Sequence, residues 1–319
     1  MAGQLFTWGP SNVDTLLSTT LSKYRKSIAD NIFTRIPLFN WLKSKSLTKL
    51  NGGASIIVPL MYAKNSTAAP YSGYGIINTT PQEGITAAQY IWSQYAATVS
   101  LSGLEISQNK GDSALISLLD AKVKQAEMSL RDKLDIDLWA STQATNGLLN
   151  LPSVVDTTTT IGNVSKSANS WWQAQVTASG SFAARGLSDF RNTYNTILNQ
   201  SVDGSTVDFM IGAQLPFEYY EASLQPQQRF ANADMASAGF ETVKYKAATM
   251  TFDTNAPSGT VFFLRSENLN LTVHTDRNFL TTPFIQPTNQ DAKVAQILFM
   301  GQVVSDNIRK LGKLTGVTA

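Results

Sequence analysis

The stretch PYSGYGIINTTPQEGITAAQYIW, residues 70–92, places two aromatic-rich runs on either side of a polar Asn-Thr-Thr-Pro-Gln-Glu-Gly turn. It has almost no charge and no obvious core face. Together with its flanks it predicts a two-stranded excursion over residues 54–102, in which Pro59 argues against a central strand. If about twenty residues per arm are extended at roughly 3.3 Å each, the excursion reaches on the order of 60 Å. An isolated ribbon is marginally stable in water, so something has to cover it.

The aromatic side chains of this region allow two interpretations. Tyrosine and tryptophan are enriched where protein surfaces meet partners. The same rings could instead pack within the chain's own sheet, and the residues alone favour neither interpretation. The rings concerned are Tyr62, Tyr71, Tyr74, Tyr90, Trp92 and Tyr95.

The composition excludes several classes of site. The chain has 319 residues, of which 43% are hydrophobic, enough for a substantial core, and it has no cysteine and one histidine. A disulfide framework, a thiolate zinc site and a cysteine nucleophile are therefore excluded. The first thirty residues lack a signal-type apolar segment, and no later run has the eighteen or so apolar residues of a membrane span. We expect a soluble protein that is not secreted.

The remaining chain predicts an α+β fold without internal repeats. Apolar spacing predicts a helix over residues 11–34 and a very long one over 112–141, in which Glu127 and Arg131 form a plausible i,i+4 pair. Residues 157–169 are expected to form a Thr/Ser/Asn-rich surface loop. A helix, strand, helix order follows, with Ser188 as a candidate cap, and the chain beyond Gly239 predicts mostly strands.

The known catalytic templates are missing from the sequence. There is no G-x-S-x-G elbow, Walker phosphate loop or H-E-x-x-H pair. His274 lies near Asp276 and superficially suggests a general base with its carboxylate, but no serine nucleophile can be nominated. Helix spacing separates Asp132, Asp135 and Asp137, so a metal site is not supported. We expect no catalytic, metal or cofactor site.

The N-terminal segment is basic. Residues 1–50 hold seven Lys or Arg against two Asp. Lys23, Arg25 and Lys26 are candidate contacts to a polyanion such as DNA, while a solvated amphipathic segment is the alternative explanation.

Four segments stand out within the order of these parts: NGLLNLP at 146–152, DFMIGAQLPFEYYEASL at 208–224, FFLRSENLNLTVHTDRNF at 262–279 and QILFMGQVVSDNIRKLGKLTGV at 296–317. With them, the chain resembles the Hong Kong 97-type major capsid protein of tailed double-stranded DNA bacteriophages. The resemblance covers nearly the whole chain and depends more on arrangement than on any single motif.

The resemblance implies a division of the chain. It implies an N-terminal arm at 1–50, an extended hairpin called the E-loop at 51–103, a peripheral domain with a long spine helix at 104–164, an axial domain at 165–260, and returning peripheral strands at 261–319. The E-loop would lie over a neighbouring subunit. Its implied contact residues are Tyr62, Tyr71, Tyr74, Ile76, Ile77, Ile85, Tyr90 and Trp92.

The implied function is assembly of a shell. Copies of the chain would form hexamers and pentamers of an icosahedral head around packaged double-stranded DNA, assembled in the host cytoplasm. Implied partners are a portal protein and separate scaffolding or decoration proteins, without a membrane. Some relatives crosslink an E-loop lysine, and Lys64 is the one lysine between Leu50 and Asn109, but no motif matches its acceptor.

Two alternative functions remain open from the sequence. An encapsulin-like nanocompartment shell protein would share the fold without a genome. A hydrolytic enzyme, the more distant alternative, predicts a pocket that gathers His274 with carboxylates.

Overall fold

A computed structural model of the chain describes residues 35–108, 118–201, 204, 206–228 and 243–319. These residues form two compact units. One comprises the described parts of 95–132 and 277–299, and the other those of 35–94, 133–276 and 300–319. The predicted helix over residues 11–34 lies outside the described residues.

Helices and strands occur largely in separate runs along the chain, with helices following one another within residues 103–154 and strands within residues 243–305, as the α+β prediction requires. The helices are α1 (Pro37–Lys45), α2 (Gly103–Gln108), α3 (Leu118–Trp139), α4 (Leu151–Val154), α5 (Leu187–Asn199) and α6 (Gln214–Gln228). The strands in the first half are β1 (Leu47–Leu50), β2 (Ile56–Met61), β3 (Ile85–Tyr90), β4 (Ser93–Ser102), β5 (Thr160–Ile161), β6 (Val164–Ser165) and β7 (Gln175–Ala178). Those in the second half are β8 (Phe209–Gly212), β9 (Val243–Tyr245), β10 (Ala248–Phe252), β11 (Val261–Leu264), β12 (Leu269–Thr281), β13 (Ala292–Ser305) and β14 (Gly312–Thr315).

Two larger sheets organise the strands. A four-stranded sheet has the order β1-β12-β13-β4, and a six-stranded sheet has the order β7-β14-β11-β8-β10-β9. β1 pairs in parallel with β12, with Leu47 opposite Leu271. In the six-stranded sheet β8 runs parallel to β10 and antiparallel to β11. The predicted strands beyond Gly239 are confirmed.

The smaller unit has an aromatic core of its own. Phe299 is buried and its ring lies 5.2 Å from that of Phe279 and 6.4 Å from that of Tyr95. The Arg131 guanidinium lies 5.4 Å from the Phe279 ring and pairs with Glu127 one turn back. The i,i+4 pair expected on the long helix is therefore present.

The larger unit buries α5 and α6 against the six-stranded sheet. Their apolar faces share one core with β8, β10, β11 and β14. The helix, strand, helix prediction is confirmed, but Ser188 does not cap α5. A π-helical turn, Phe182–Gly186, runs directly into Leu187, and the Ser188 hydroxyl donates to the Arg185 carbonyl instead.

The predicted ribbon is shorter than the sequence suggested. Within residues 54–102, only β2 and β3 pair as a hairpin, with Ile56 opposite Tyr90 and Met61 opposite Ile85. β4, expected in the same ribbon, belongs to the four-stranded sheet. Within the long helix, residues 118–139 are confirmed, and residues 109–117 lie outside the described part.

The expected surface loop at 157–169 is also an incorrect prediction. β5 and β6 pair as a small hairpin, in which Ile161 is buried. Lys166 follows with 0% of its surface exposed, and its amine donates to the carbonyls of Ser153 and Val154, both at 2.6 Å. The polar composition hid this packing because the carbonyls that bind the amine come from another part of the chain.

Candidate assembly surface

The hairpin formed by β2 and β3 has one face buried in its own chain and one face exposed. On the buried face lie Ile56, Leu60, Ala88 and Tyr90. On the other face Met61, opposite Ile85, has 80% of its surface exposed, and Ile85 has 74%. Alternation with period two produces these faces, because successive side chains on a strand point to opposite sides.

Residues 62–84, which connect the two strands, form a tip without a ladder. The Tyr62 amide still donates to the Gly84 carbonyl at 2.9 Å, and beyond it side chains shape the backbone. Asn65 Oδ1 accepts from the Thr67 amide at 2.8 Å, and Asn78 Oδ1 from the Thr80 amide at 3.0 Å. These are Asx-type turns, in which a side chain replaces a backbone partner. They end the strands and shorten the ribbon.

The tip carries apolar side chains that its own chain does not cover. Ile76 is 99% exposed, and Tyr74 is fully exposed. Tyr71 and Ile77 are also exposed. Scattered single apolar residues on a surface are ordinary, but four exposed ones within residues 71–77 mark an interaction surface.

Three of the predicted contact residues contact their own chain. The Tyr62 ring lies 5.6 Å from that of Trp171 yet remains exposed. The Trp92 indole donates to the Gly53 carbonyl at 2.9 Å and is half-buried beside His274. Tyr90 is only 4% exposed, and its hydroxyl donates to the Ser305 carbonyl at 2.7 Å. Tyr90 is therefore a residue of the chain's own core, which corrects its place among the contact residues.

Sequence reasoning missed three exposed apolar residues of the same region. Ile57, Met61 and Ile91 are each largely exposed. The alternation in ASIIVPLM, residues 54–61, contained the signal for the first two, because Ile57 and Met61 are four positions apart and share a face. Ile91 directly follows β3, where the alternation stops.

His274 does not have the geometry of a general base. Its Nδ1 accepts a hydrogen bond from the Asp276 backbone amide at 3.2 Å. A nitrogen that accepts cannot donate to an orienting carboxylate, which the serine-hydrolase arrangement requires. Across the described ranges, no group of three or more His, Asp or Glu side chains could hold a metal ion.

The buried carboxylates serve the fold. Asp135 Oδ1 accepts from the Phe39 amide at 3.4 Å and its Oδ2 from the Asn255 amide group at 3.1 Å, so it binds the first turn of α1. Asp137 pairs with Lys133 at 2.7 Å. Burial raises the pKa of Asp253, which accepts from the Asn255 backbone amide. Each of these three carboxylates has a partner of its own within the protein.

Two sequence expectations concern other parts of the chain. Lys23, Arg25 and Lys26 lie outside the described residues. Within the described part, no helix combines the length and apolar character needed to cross a bilayer.

Comparisons with known proteins identify the fold. No protein-family model and no curated protein matches the chain. Among solved structures, the cyanophage A-1(L) capsid matches with a TM-score of 0.68 at 12% identity, over 94% of this chain and 98% of that one. The capsid of an empty GTA particle matches with a TM-score of 0.61 at 8% identity, over 93% and 96%. The holo-SrpI encapsulin complex from Synechococcus elongatus matches with a TM-score of 0.51 at 9% identity, over 98% and 96%.

These matches extend over nearly the full length of both chains, so they concern the whole arrangement and not one shared motif. Because the identities are this low, the matches establish the fold of the chain and nothing beyond it. The chain has the Hong Kong 97-type capsid fold.

Proposed function

We propose that this chain is a structural major capsid protein, which self-assembles into hexamers and pentamers of an icosahedral head around packaged double-stranded DNA. The observation that carries the proposal is the β2–β3 hairpin, whose outer face and tip expose apolar side chains that their own chain does not cover. The fold shared with phage capsid structures supports it.

A neighbouring copy would supply the burial that the hairpin lacks. Fully burying an aliphatic or aromatic side chain contributes about 1.5–3 kcal/mol, so a few such contacts stabilise an association. Identical chains joined head to tail close into rings, and many simultaneous contacts then add up across the shell. The proposed contact residues are Tyr62, Tyr71, Tyr74, Ile76, Ile77, Ile85 and Trp92, to which the exposed Ile57 and Met61 are added.

The proposed subdivision follows the resemblance. Residues 1–50 would form the N-terminal arm, 51–103 the E-loop, 104–164 and 261–319 the peripheral domain with its spine helix, and 165–260 the axial domain. Lys23, Arg25 and Lys26 would contact the packaged DNA without sequence specificity, through charge alone.

The proposed role is not enzymatic and needs no cofactor. The protein would reside in the virion after assembly in the host cytoplasm. Its partners would be other copies of itself, a portal protein, and separate scaffolding or decoration proteins.

The test is electron microscopy combined with sedimentation of the purified chain at several concentrations. Shells, tubes or hexameric rings are the expected result. A monomer without concentration dependence, which persists when candidate scaffold proteins are coexpressed, would contradict the proposal.

An encapsulin-like shell is a second candidate, because the SrpI encapsulin complex shares the fold. The two candidates differ in what the shell contains. Copurified nucleic acid is expected for the capsid protein, and a copurified protein cargo would favour the encapsulin-like function.

A further inference from the structure

The base of the E-loop hairpin rests on a small turn of the same unit. β5 and β6 are joined by Gly162 and Asn163, whose φ angles are 60° and 63°. Positive φ at both central residues is typical of the type I′ turn, whose twist matches its flanking strands. The residues of the turn themselves therefore favour its backbone conformation.

This turn contacts β3 directly. The backbone amide of Gln89 donates to the Gly162 carbonyl at 3.0 Å, and the side-chain amide of Asn163 donates to Gln89 Oε1 at 3.2 Å. A Cβ added at Gly162 would lie 2.7 Å from Ala88 Cβ, which is closer than real Cβ contacts. The absence of a side chain at 162 is thus what allows β3 to approach.

A second contact lies at the far end of the ladder. Tyr62 follows β2, and its ring packs on Trp171. The Trp171 indole donates to Asn169 Oδ1 at 3.1 Å, which fixes its orientation. The neighbouring Trp172 is buried and donates to the Ile161 carbonyl at 3.2 Å. This bond ties the Trp171 contact to the turn at Gly162.

We propose that residues 160–172 form a buttress that fixes the direction in which the E-loop hairpin leaves its subunit, with Gly162 and Trp171 as the positioning residues. Gln89 lies opposite Ile57, and Tyr62 is five residues further along, so the two contacts are roughly 16 Å apart along the hairpin. Two separated contacts fix the direction of the hairpin, whereas a single contact would let the hairpin rotate about it. The consequence for assembly rests on the proposed function.

The buttress would act by preorganisation. Association costs less when the binding segment is already held in its bound direction, because less conformational freedom is lost on binding. A hairpin without the buttress would reach a neighbour in many directions. Assembly would then become slower and produce irregular particles.

The direction of the hairpin can be measured on the unassembled full chain. The chain contains no cysteine, so Ser72→Cys at the tip and Asn192→Cys on α5, both exposed, are unique sites for spin labels. Double electron–electron resonance then gives the distribution of tip-to-body distances. We expect a narrow distribution in the parent chain and a shifted, broader one in Gly162→Ala.

A matched control separates the contact from backbone strain. Gly316 also has a positive φ, 74°, but a Cβ there would meet only the Ser179 carbonyl at an ordinary 3.6 Å. Alanine at either glycine has a similar conformational cost, because both positions have a left-handed backbone. Gly316→Ala should therefore leave the distance distribution unchanged.

Trp171→Ala provides a second, independent variant, since Trp171 is half-buried and its loss leaves the core intact. It should broaden the distribution, and Trp171→Phe should restore it. Distributions unchanged in both Gly162→Ala and Trp171→Ala would overturn the buttress even if the parent chain forms shells. A chain that forms no shells but shows the expected shifts would contradict the proposed function alone.

Discussion

Lys166 is a buried amine whose partners are two backbone carbonyls at the end of α4. Burial lowers the pKa of this amine to about 7, although the nearby Asp156 carboxylate raises it, and Lys313 lowers it further. The carbonyls at the C-terminus of α4 bind the amine and favour its charged form, whereas its removal from water disfavours that form. The lowered pKa means that burial has the larger effect. Stability at this residue is therefore linked to pH.

The sign of the linkage follows from the two pKa values. The amine has a pKa of about 7 in the folded chain and 10.5 as its ordinary value, so between them the unfolded chain binds more protons. The free energy of unfolding should rise with pH across this window, with a slope of up to about 1.4 kcal/mol per pH unit from this group. Below pH 7 the full penalty for charging the buried amine applies.

Lys166→Met should abolish that slope. Methionine retains the apolar stem but has no proton to release, so the stability difference between the parent chain and the variant should grow in favour of the parent from neutral to alkaline pH. Denaturant unfolding of both chains across the window measures it. Other titrating groups are common to both chains and cancel. A difference in unfolding free energy that does not vary with pH would contradict the lowered pKa of the Lys166 amine.

Tyr90 provides a second prediction at the residue scale. Tyr90→Phe removes the hydroxyl that donates to the Ser305 carbonyl and leaves that buried acceptor unsatisfied, at a cost of about 1–3 kcal/mol. Denaturant unfolding should show this loss of stability, while electron microscopy should still show shells. If Tyr90→Phe forms no shells but is as stable as the parent chain, Tyr90 contacts a neighbouring subunit and is not only a residue of its own core.

At the scale of elements, the tip of the β2–β3 hairpin should affect assembly without affecting the fold. Ile76→Ser changes a side chain that its own chain leaves bare, so the melting temperature should stay close to that of the parent. If a neighbour buries Ile76, losing about 1.5–3 kcal/mol per contact should raise the concentration needed for assembly tenfold or more. Sedimentation against concentration measures this.

Ile76→Leu is the matched control for that variant. It conserves volume and apolar character, so it should assemble nearly as the parent does. If Ile76→Ser and Ile76→Leu both assemble as the parent chain does, Ile76 is not a contact between subunits. Impaired assembly in both would indicate a requirement for shape at this position.

Elements were predictable where local patterns determine them. The β-type run that begins at residue 54 predicted β2 but not the exposure of its outer face, and the apolar stripe predicted α3. The loop at 157–169 was mispredicted because Lys166 is buried by carbonyls that are not its sequence neighbours. Tyr90 was misassigned because its hydroxyl bonds to Ser305, far along the chain. Nonlocal partners of polar atoms leave no periodic signal in the sequence.

At the scale of the whole molecule, the order of parts was informative although no single motif was. The matches at 8–12% identity over nearly the full chain show that this fold tolerates almost complete change of sequence. The parallel pairing of β1 with β12 could not be derived from the residues, because strands so distant in sequence find their register through tertiary packing.

Temperature provides a test of what drives the proposed assembly. The hairpin offers apolar side chains, and the net charge of the chain is only +2, so association should be mainly hydrophobic, with little repulsion between copies. Hydrophobic association weakens on cooling, because its driving force near room temperature is entropic. The concentration needed for assembly should therefore be higher at about 5 °C than at about 25 °C, and should change little with salt. Light scattering at fixed chain concentration measures both dependences. Tighter association in the cold with a steep salt dependence would instead indicate an interface of ion pairs, in which case the apolar hairpin would not be what joins the subunits.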